Sequence, residues 1–232
     1  MMDAMRPPRV LVFSSALALA AAVAAGLSAL NAREDPAAAG REVVQRFVVV
    51  LTFGALGLFI ARESQIPGSL FLASQEWTVA LRDILNWGFL PGLVLGVVNY
   101  LFFFAYRYSP YLAPQFQAIT GVYDSFIISL VTGLTEEVIY RLFILSSLLF
   151  SFRRLYEKLT SVWPSTAAII PVALALVLSS LLFAMRHSYD NFTAAFVGGM
   201  LLGWIYVRSG IESAIAGHFA ANFLFYSASY LS

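Results

Sequence analysis

Cysteine is absent from this chain and histidine occurs only twice. Without a thiol there is no disulfide, thiolate zinc site, Fe–S cluster or cysteine nucleophile. Charge is scarce as well: Asp, Glu, Lys and Arg make up 12% of the 232 residues, against roughly a quarter in an ordinary soluble domain. The 14 basic and 13 acidic residues nearly cancel, which favours neither nucleic acid nor any strongly charged partner. What remains is apolar, with 60% hydrophobic and 15% aromatic residues and a mean hydropathy of +0.79. A core of this size cannot hide so much apolar surface, so it must face lipid.

The apolar residues fall into runs. Stretches with little or no charge extend over Val10–Asn31, Phe47–Ala61, Trp87–Tyr106, Ser125–Phe150, Thr160–Met185, Asn191–Val207 and Ser213–Ser232. Most approach the ~20 residues a helix needs to cross the hydrocarbon. The expected fold is all-α, a polytopic transmembrane bundle of about seven spans forming a single membrane domain. Ser69–Asn86 mixes Leu70, Trp77, Leu81 and Leu85 with Glu76, Arg82 and Asp83, which suits a helix lying in the interface. Tyr111–Tyr123 is a second interfacial candidate.

The first stretch follows Arg6 and Arg9, but its apolar run exceeds the usual signal-peptide core, which favours an uncleaved anchor. With the N-terminus in the cytoplasm, Arg6, Arg9, Arg62, Arg82, Arg153, Arg154, Lys158 and Arg208 lie inside, and Arg33, Arg41, Arg107 and Arg186 outside. That excess supports the orientation. Gly199 and Gly203 form a small-xxx-small step suited to close helix packing.

Against this background Glu136-Glu137-Val138-Ile139-Tyr140-Arg141 stands out, because it places three ionisable groups within the fourth apolar stretch. Each costs a few kcal/mol at membrane depth, so such groups face a bundle interior or a wet cavity and mark a candidate site. Glu137 and Arg141 are four apart, on one helix face, in the favourable order for an ion pair. Glu136 points about 100° away and is free to meet another helix. His187 closes the run Phe183-Ala184-Met185-Arg186-His187, and His218 and Asn222 share one face of the seventh stretch.

A carboxylate and an imidazole converging on one water can activate it for attack on a peptide carbonyl. A second His with an Asn can donate hydrogen bonds to the developing oxyanion. Glu136, His187 and His218 could instead ligate Zn²⁺ as a two-imidazole, one-carboxylate set. Other patterns fail: there is no H-E-x-x-H, the histidines being 31 positions apart. Asp124 has no intramembrane aspartate partner and is expected to cap a helix.

Glu136-Glu137-x-x-x-Arg141, Phe183-x-x-x-His187 and His218-x-x-x-Asn222 together resemble the three-motif signature of the CAAX protease and bacteriocin-processing family of intramembrane proteases, over roughly Ser125–Phe225. The resemblance implies a membrane-embedded endopeptidase related to the CAAX prenyl protease. Glu136 and His187 would activate water, His218 and Asn222 would form the oxyanion hole, and Glu137 with Arg141 would brace the site. Many members carry Gly after the motif arginine, where this chain has Leu142. Members are described both as glutamate-type, the form favoured here, and as metal-dependent, so zinc stays open.

On this reading residues 1–122 are N-terminal transmembrane and interfacial helices, and residues 123–232 are the catalytic core. The substrate is a membrane-associated protein or peptide, lipidated by family inference, and the location a bacterial inner membrane. Two rivals remain: a non-catalytic membrane binding or immunity protein that uses the polar cluster structurally, and a proton-coupled carrier. Straight helices would set Glu136, His187 and His218 at different depths, so the catalytic reading requires a tilted or broken helix.

Overall fold

The computed structural model describes residues 7–31, 35–73, 76–105, 119, 121–159, 169–187 and 191–231. Among them there is no strand, and the expected all-helical bundle is found. Helix α1 (Pro7–Asn31) pairs with α2 (Pro36–Glu63), a short turn α3 (Leu70–Ala73) follows, and α4 (Trp77–Asp83) runs through a π-helical segment (Ile84–Phe89) into α5 (Leu90–Ala105). Next, α6 (Val122–Glu137) passes through a second π segment (Val138–Leu145) into α7 (Ser146–Leu159). The chain ends with α8 (Ile169–Ala184) and α9 (Phe192–Leu231).

The polarity is that of a membrane protein. Val12, Phe59, Val94 and Ile169 point outward, while Ser14, Ser129, Glu137, Arg141, Ser180, Glu212 and His218 are buried. Helices α1, α2, the Trp77–Phe102 stretch and α9 are each long and apolar enough to cross a bilayer. Buried apolar residues join them, notably Leu58 of α2 with Leu142 and Leu145 of the second π segment and Tyr206 and Ile211 of α9.

Three expectations need correction. Ser69–Asn86 does not form one interfacial helix: α3 ends at Ala73, and Trp77 starts a rod that continues unbroken to Ala105. Glu76, Arg82 and Asp83 simply occupy the beginning of that rod. Asp124 sits inside the first turn of α6 rather than capping it, since Gly121 is the N-cap; a carboxylate there still complements the helix dipole. The sixth and seventh stretches are one helix, α9, broken at Gly210, whose φ of 82° and ψ of 177° suit glycine. With its two arms counted separately, seven rods result, α3 aside. The second interfacial candidate lies outside the described residues, apart from its last few, where Val122 and Tyr123 open α6.

Candidate active site

Close backbone contact sets the position of the C-terminal arm of α9. Gly88, Gly92 and Gly96, four apart along the Trp77–Ala105 rod, face Ser213, Gly217 and Ala221 of the arm. A Cβ on Gly96 would stand 2.8 Å from the Ala221 carbonyl oxygen, and those on Gly88 and Gly92 would come closer still to the Ser213 and Gly217 carbonyls. Small residues at this spacing let two helices approach to backbone distance. On another side, a Cβ on Gly133 of α6 would meet the Phe219 nitrogen at 3.4 Å. The arm is thereby held against α6 one turn before Glu137, and its His218 faces the acidic pair. The Gly199–Gly203 step packs the other arm on α8, against Ser180 and Leu176.

The polar cluster forms where α6 passes into the second π segment. Glu137 and Arg141 both have fully buried side chains, with Glu137 Oε2 3.3 Å from Arg141 Nε. The other oxygen, Oε1, lies 2.8 Å from His218 Nδ1. An ionised carboxylate only accepts, so Nδ1 carries the proton; in the neutral ring Nε2 is then left as an acceptor. That Nε2 faces Glu136, 3.8 Å from its Oε2, and the Glu136 side chain keeps 27% of its surface open. Hence one imidazole lies between two carboxylates, the inner one tied to a guanidinium and the outer one accessible. The break at Gly210 lets the arm bearing His218 begin inside the bundle, at the buried residues Gly210 and Ile211, and brings that imidazole level with Glu136.

The other motif residues surround this centre without all entering it. Phe183 is the hub: its ring lies 4.7 Å from that of His187, 6.0 Å from that of His218 and 4.4 Å from the Arg141 guanidinium carbon. Tyr140 packs edge-on against the same ring. His187 Nδ1 lies 3.0 Å from the Phe183 carbonyl oxygen, which fixes that nitrogen within its own helix end. Asn222, one turn beyond His218, donates through Nδ2 to Thr132 Oγ1 at 3.2 Å. Among the described residues no three His, Asp or Glu side chains are grouped to hold one metal ion. Glu136, His187 and His218 therefore do not form the ligand set considered for Zn²⁺.

Four contributors had no role assigned from the sequence, Phe183 among them although its motif was quoted. Phe183 and Thr132 act through packing and a single hydrogen bond. The Gly88-x-x-x-Gly92-x-x-x-Gly96 spacing carries the same signal as Gly199–Gly203 and could have been read. The fourth is Glu212, buried just beyond the Gly210 break, where its carboxylate accepts hydrogen bonds from Ser69 Oγ and from the Leu70 and Phe71 amides.

Fold and cluster together define a helical membrane protein with a buried carboxylate–imidazole centre. The comparison with known families narrows the class: residues 118–224, just under half of the chain, match the Rce1-like model, type II CAAX prenyl endopeptidase Rce1-like. The matched stretch contains Glu136, Glu137, Arg141, His187, His218 and Asn222, while α1–α5 lie outside it. With its long apolar helices the chain is an integral membrane protein, and its matched stretch is similar to a family of intramembrane proteases. No curated protein matches it, and neither does any solved structure.

Proposed function

We propose that the protein is a glutamate-type intramembrane endopeptidase that hydrolyses a peptide bond of a membrane-associated, prenylated substrate. The observation that carries this reading is the arrangement of His218, hydrogen-bonded to buried Glu137 while its second nitrogen faces the partly open Glu136. A separation of 3.8 Å is too long for a direct hydrogen bond, but it suits a water donating to both acceptors. Glu136 takes a proton from that water as its oxygen adds to the carbonyl carbon. The C–N bond then breaks as the same carboxyl returns the proton to the leaving amine. Glu137, anchored by Arg141, holds the tautomer and orientation of His218, the role a buried carboxylate has in other hydrolases.

This assigns His218, rather than His187, as the partner of Glu136. Asn222 remains as a donor to the oxyanion, from the turn after His218, and His187 joins it only with both ring nitrogens protonated, because its Nδ1 already donates to the Phe183 carbonyl. The cytoplasmic N-terminus and the bacterial inner membrane stay part of the proposal.

The test is cleavage of a farnesylated, membrane-bound CAAX-type peptide by purified protein in proteoliposomes. Glu136→Gln should lower kcat by about 10²- to 10⁴-fold with little change in thermal unfolding, because the side chain is partly open and forms no short ion pair. Undiminished turnover in that variant would remove the mechanism. The non-catalytic alternative, a binding or immunity protein, instead requires that no substrate is cut and that the substitution acts on stability or partner binding alone.

A further inference from the structure

We infer that Glu212 is a positioning residue for His218 and Asn222, acting as the latch that fixes the hinge at Gly210; the inference rests on the protease reading of the cluster. Glu212 is 8% exposed and lies two residues past the break. Its carboxylate gathers the turn that opens α3. Oε2 accepts from the Leu70 amide at 2.8 Å, and Oε1 accepts from the Phe71 amide at 3.2 Å and from Ser69 Oγ. Ser69 Oγ in turn accepts from the Leu72 amide at 3.2 Å. Beside this latch the Ile211 amide donates to the Gly68 carbonyl at 2.8 Å. The start of the arm is thus tied at consecutive residues to the segment that follows α2.

The arm needs such a tie. A single glycine with positive φ joins two rigid helices, which is the geometry of a hinge. His218 lies eight residues beyond Gly210, about 12 Å along the helix, so a rotation of about 10° there shifts the imidazole by about 2 Å, half of its 3.8 Å separation from Glu136. The glycine contacts at Gly88, Gly92 and Gly96 press the arm laterally. The Glu212 latch determines where along its axis the arm begins. Nothing in the proposed chemistry uses Glu212 directly, and its partners are all neutral.

The substitution Glu212→Gln separates latch from bulk. Each carboxylate oxygen faces a backbone N–H, so either orientation of the glutamine amide turns its NH₂ onto a donor. With the farnesylated peptide in proteoliposomes, kcat should fall about tenfold or more, as misplacement of a reacting group by an ångström does, while KM stays within about twofold. Glu212→Asp, which retains both acceptors, should restore most of the loss.

Because the chain has only two histidines, ¹⁵N-histidine NMR resolves both rings. The Gln variant should shift the His218 ring signals and leave those of His187 in place, a change that lowered stability alone does not produce. If Glu212→Gln fails to fold, Ser69→Ala, which keeps both backbone donors on the carboxylate, should show the same pattern at smaller amplitude. Wild-type kcat with unmoved His218 signals in a folded variant overturns the inference, as does a loss of kcat that merely follows the unfolded fraction. Failure of the protease reading is distinguishable: wild-type protein then cuts nothing, while the His218 shift still reports whether the latch positions the ring.

Discussion

Two buried carboxylates meet the same helical arm, and they are satisfied in opposite ways. Glu212, at its beginning, has neutral donors on both oxygens, supplied by a serine hydroxyl and two backbone amides. Glu137, facing the arm at His218, has a guanidinium and an imidazole for partners. Of these, Arg141 Nη1 and Nη2 are buried without a hydrogen bond, and the contact between Glu137 Oε2 and Arg141 Nε lacks hydrogen-bond geometry. A fully matched carboxylate belongs to architecture. An incompletely matched cluster of charges is costly to keep and calls for a functional reason. The polar interior of this bundle thus has one part that holds the fold and another held by it.

Removing the cation tests that contrast most severely. Arg141→Met keeps the approximate length of the side chain but leaves Glu137 ionised and uncompensated in a fully buried place. The expected loss is about 3–5 kcal/mol of stability, read as a lowered Tm in detergent or as denaturant-induced unfolding. Pairing it with Glu137→Gln should recover much of that loss, because the residual charge disappears with its partner. A single substitution that is nearly neutral would show that the guanidinium does not sustain the buried carboxylate.

How much of this was legible beforehand differs by residue. The helical runs and the Glu137–Arg141 pairing follow from local spacing, since residues four apart on one helix have few alternatives. The approach of Glu136 to His218 was readable only as a pattern of motifs, because it depends on how α6 and α9 pack across more than 80 residues of chain. The partition of roles between the histidines was not readable at all. It turns on the Phe183 ring, which touches both imidazoles, and on a one-residue hinge that no apolar run announces. The stretch 69–86 was misjudged because charges at the start of a spanning rod give the same composition as an interfacial helix. The two π segments likewise have no signature in periodicity, although one carries Gly88 and the other follows Glu137 directly.

The architectural part can be probed where only packing is at stake. Gly92→Ala drives a methyl group into the backbone of Gly217, which cannot retreat without moving the arm. A loss of about 1–3 kcal/mol is expected for such overpacking, accompanied by reduced turnover because His218 is the next residue. Gly203→Ala meets Leu176 Cδ2 at 2.8 Å, the far end of a flexible side chain. There the cost should stay under about 1 kcal/mol, offset by the helix propensity that alanine gains over glycine. Comparable Tm losses for the two variants would show that the glycine row facing the arm is no more constrained than the ordinary helix contact on α8.

The smallest expected effect decides to which part Asn222 belongs. Its amide donates to Thr132 Oγ1 at 3.2 Å, and that hydroxyl itself donates to the Ile128 carbonyl at 2.9 Å. Thr132→Val preserves the shape, removes the acceptor and should cost about 0.5–1.5 kcal/mol, a shift of a few degrees in Tm. If Asn222 is a donor to the oxyanion, the freed amide remains available, so turnover of the farnesylated peptide should stay within about threefold of wild type. Asn222→Ala in the same assay should lose about 10²- to 10³-fold, the range for removing such a donor. Equal losses of turnover in both variants would instead assign the Thr132–Asn222 bond to the architecture, alongside Glu212, and leave His187 to bind the oxyanion without it.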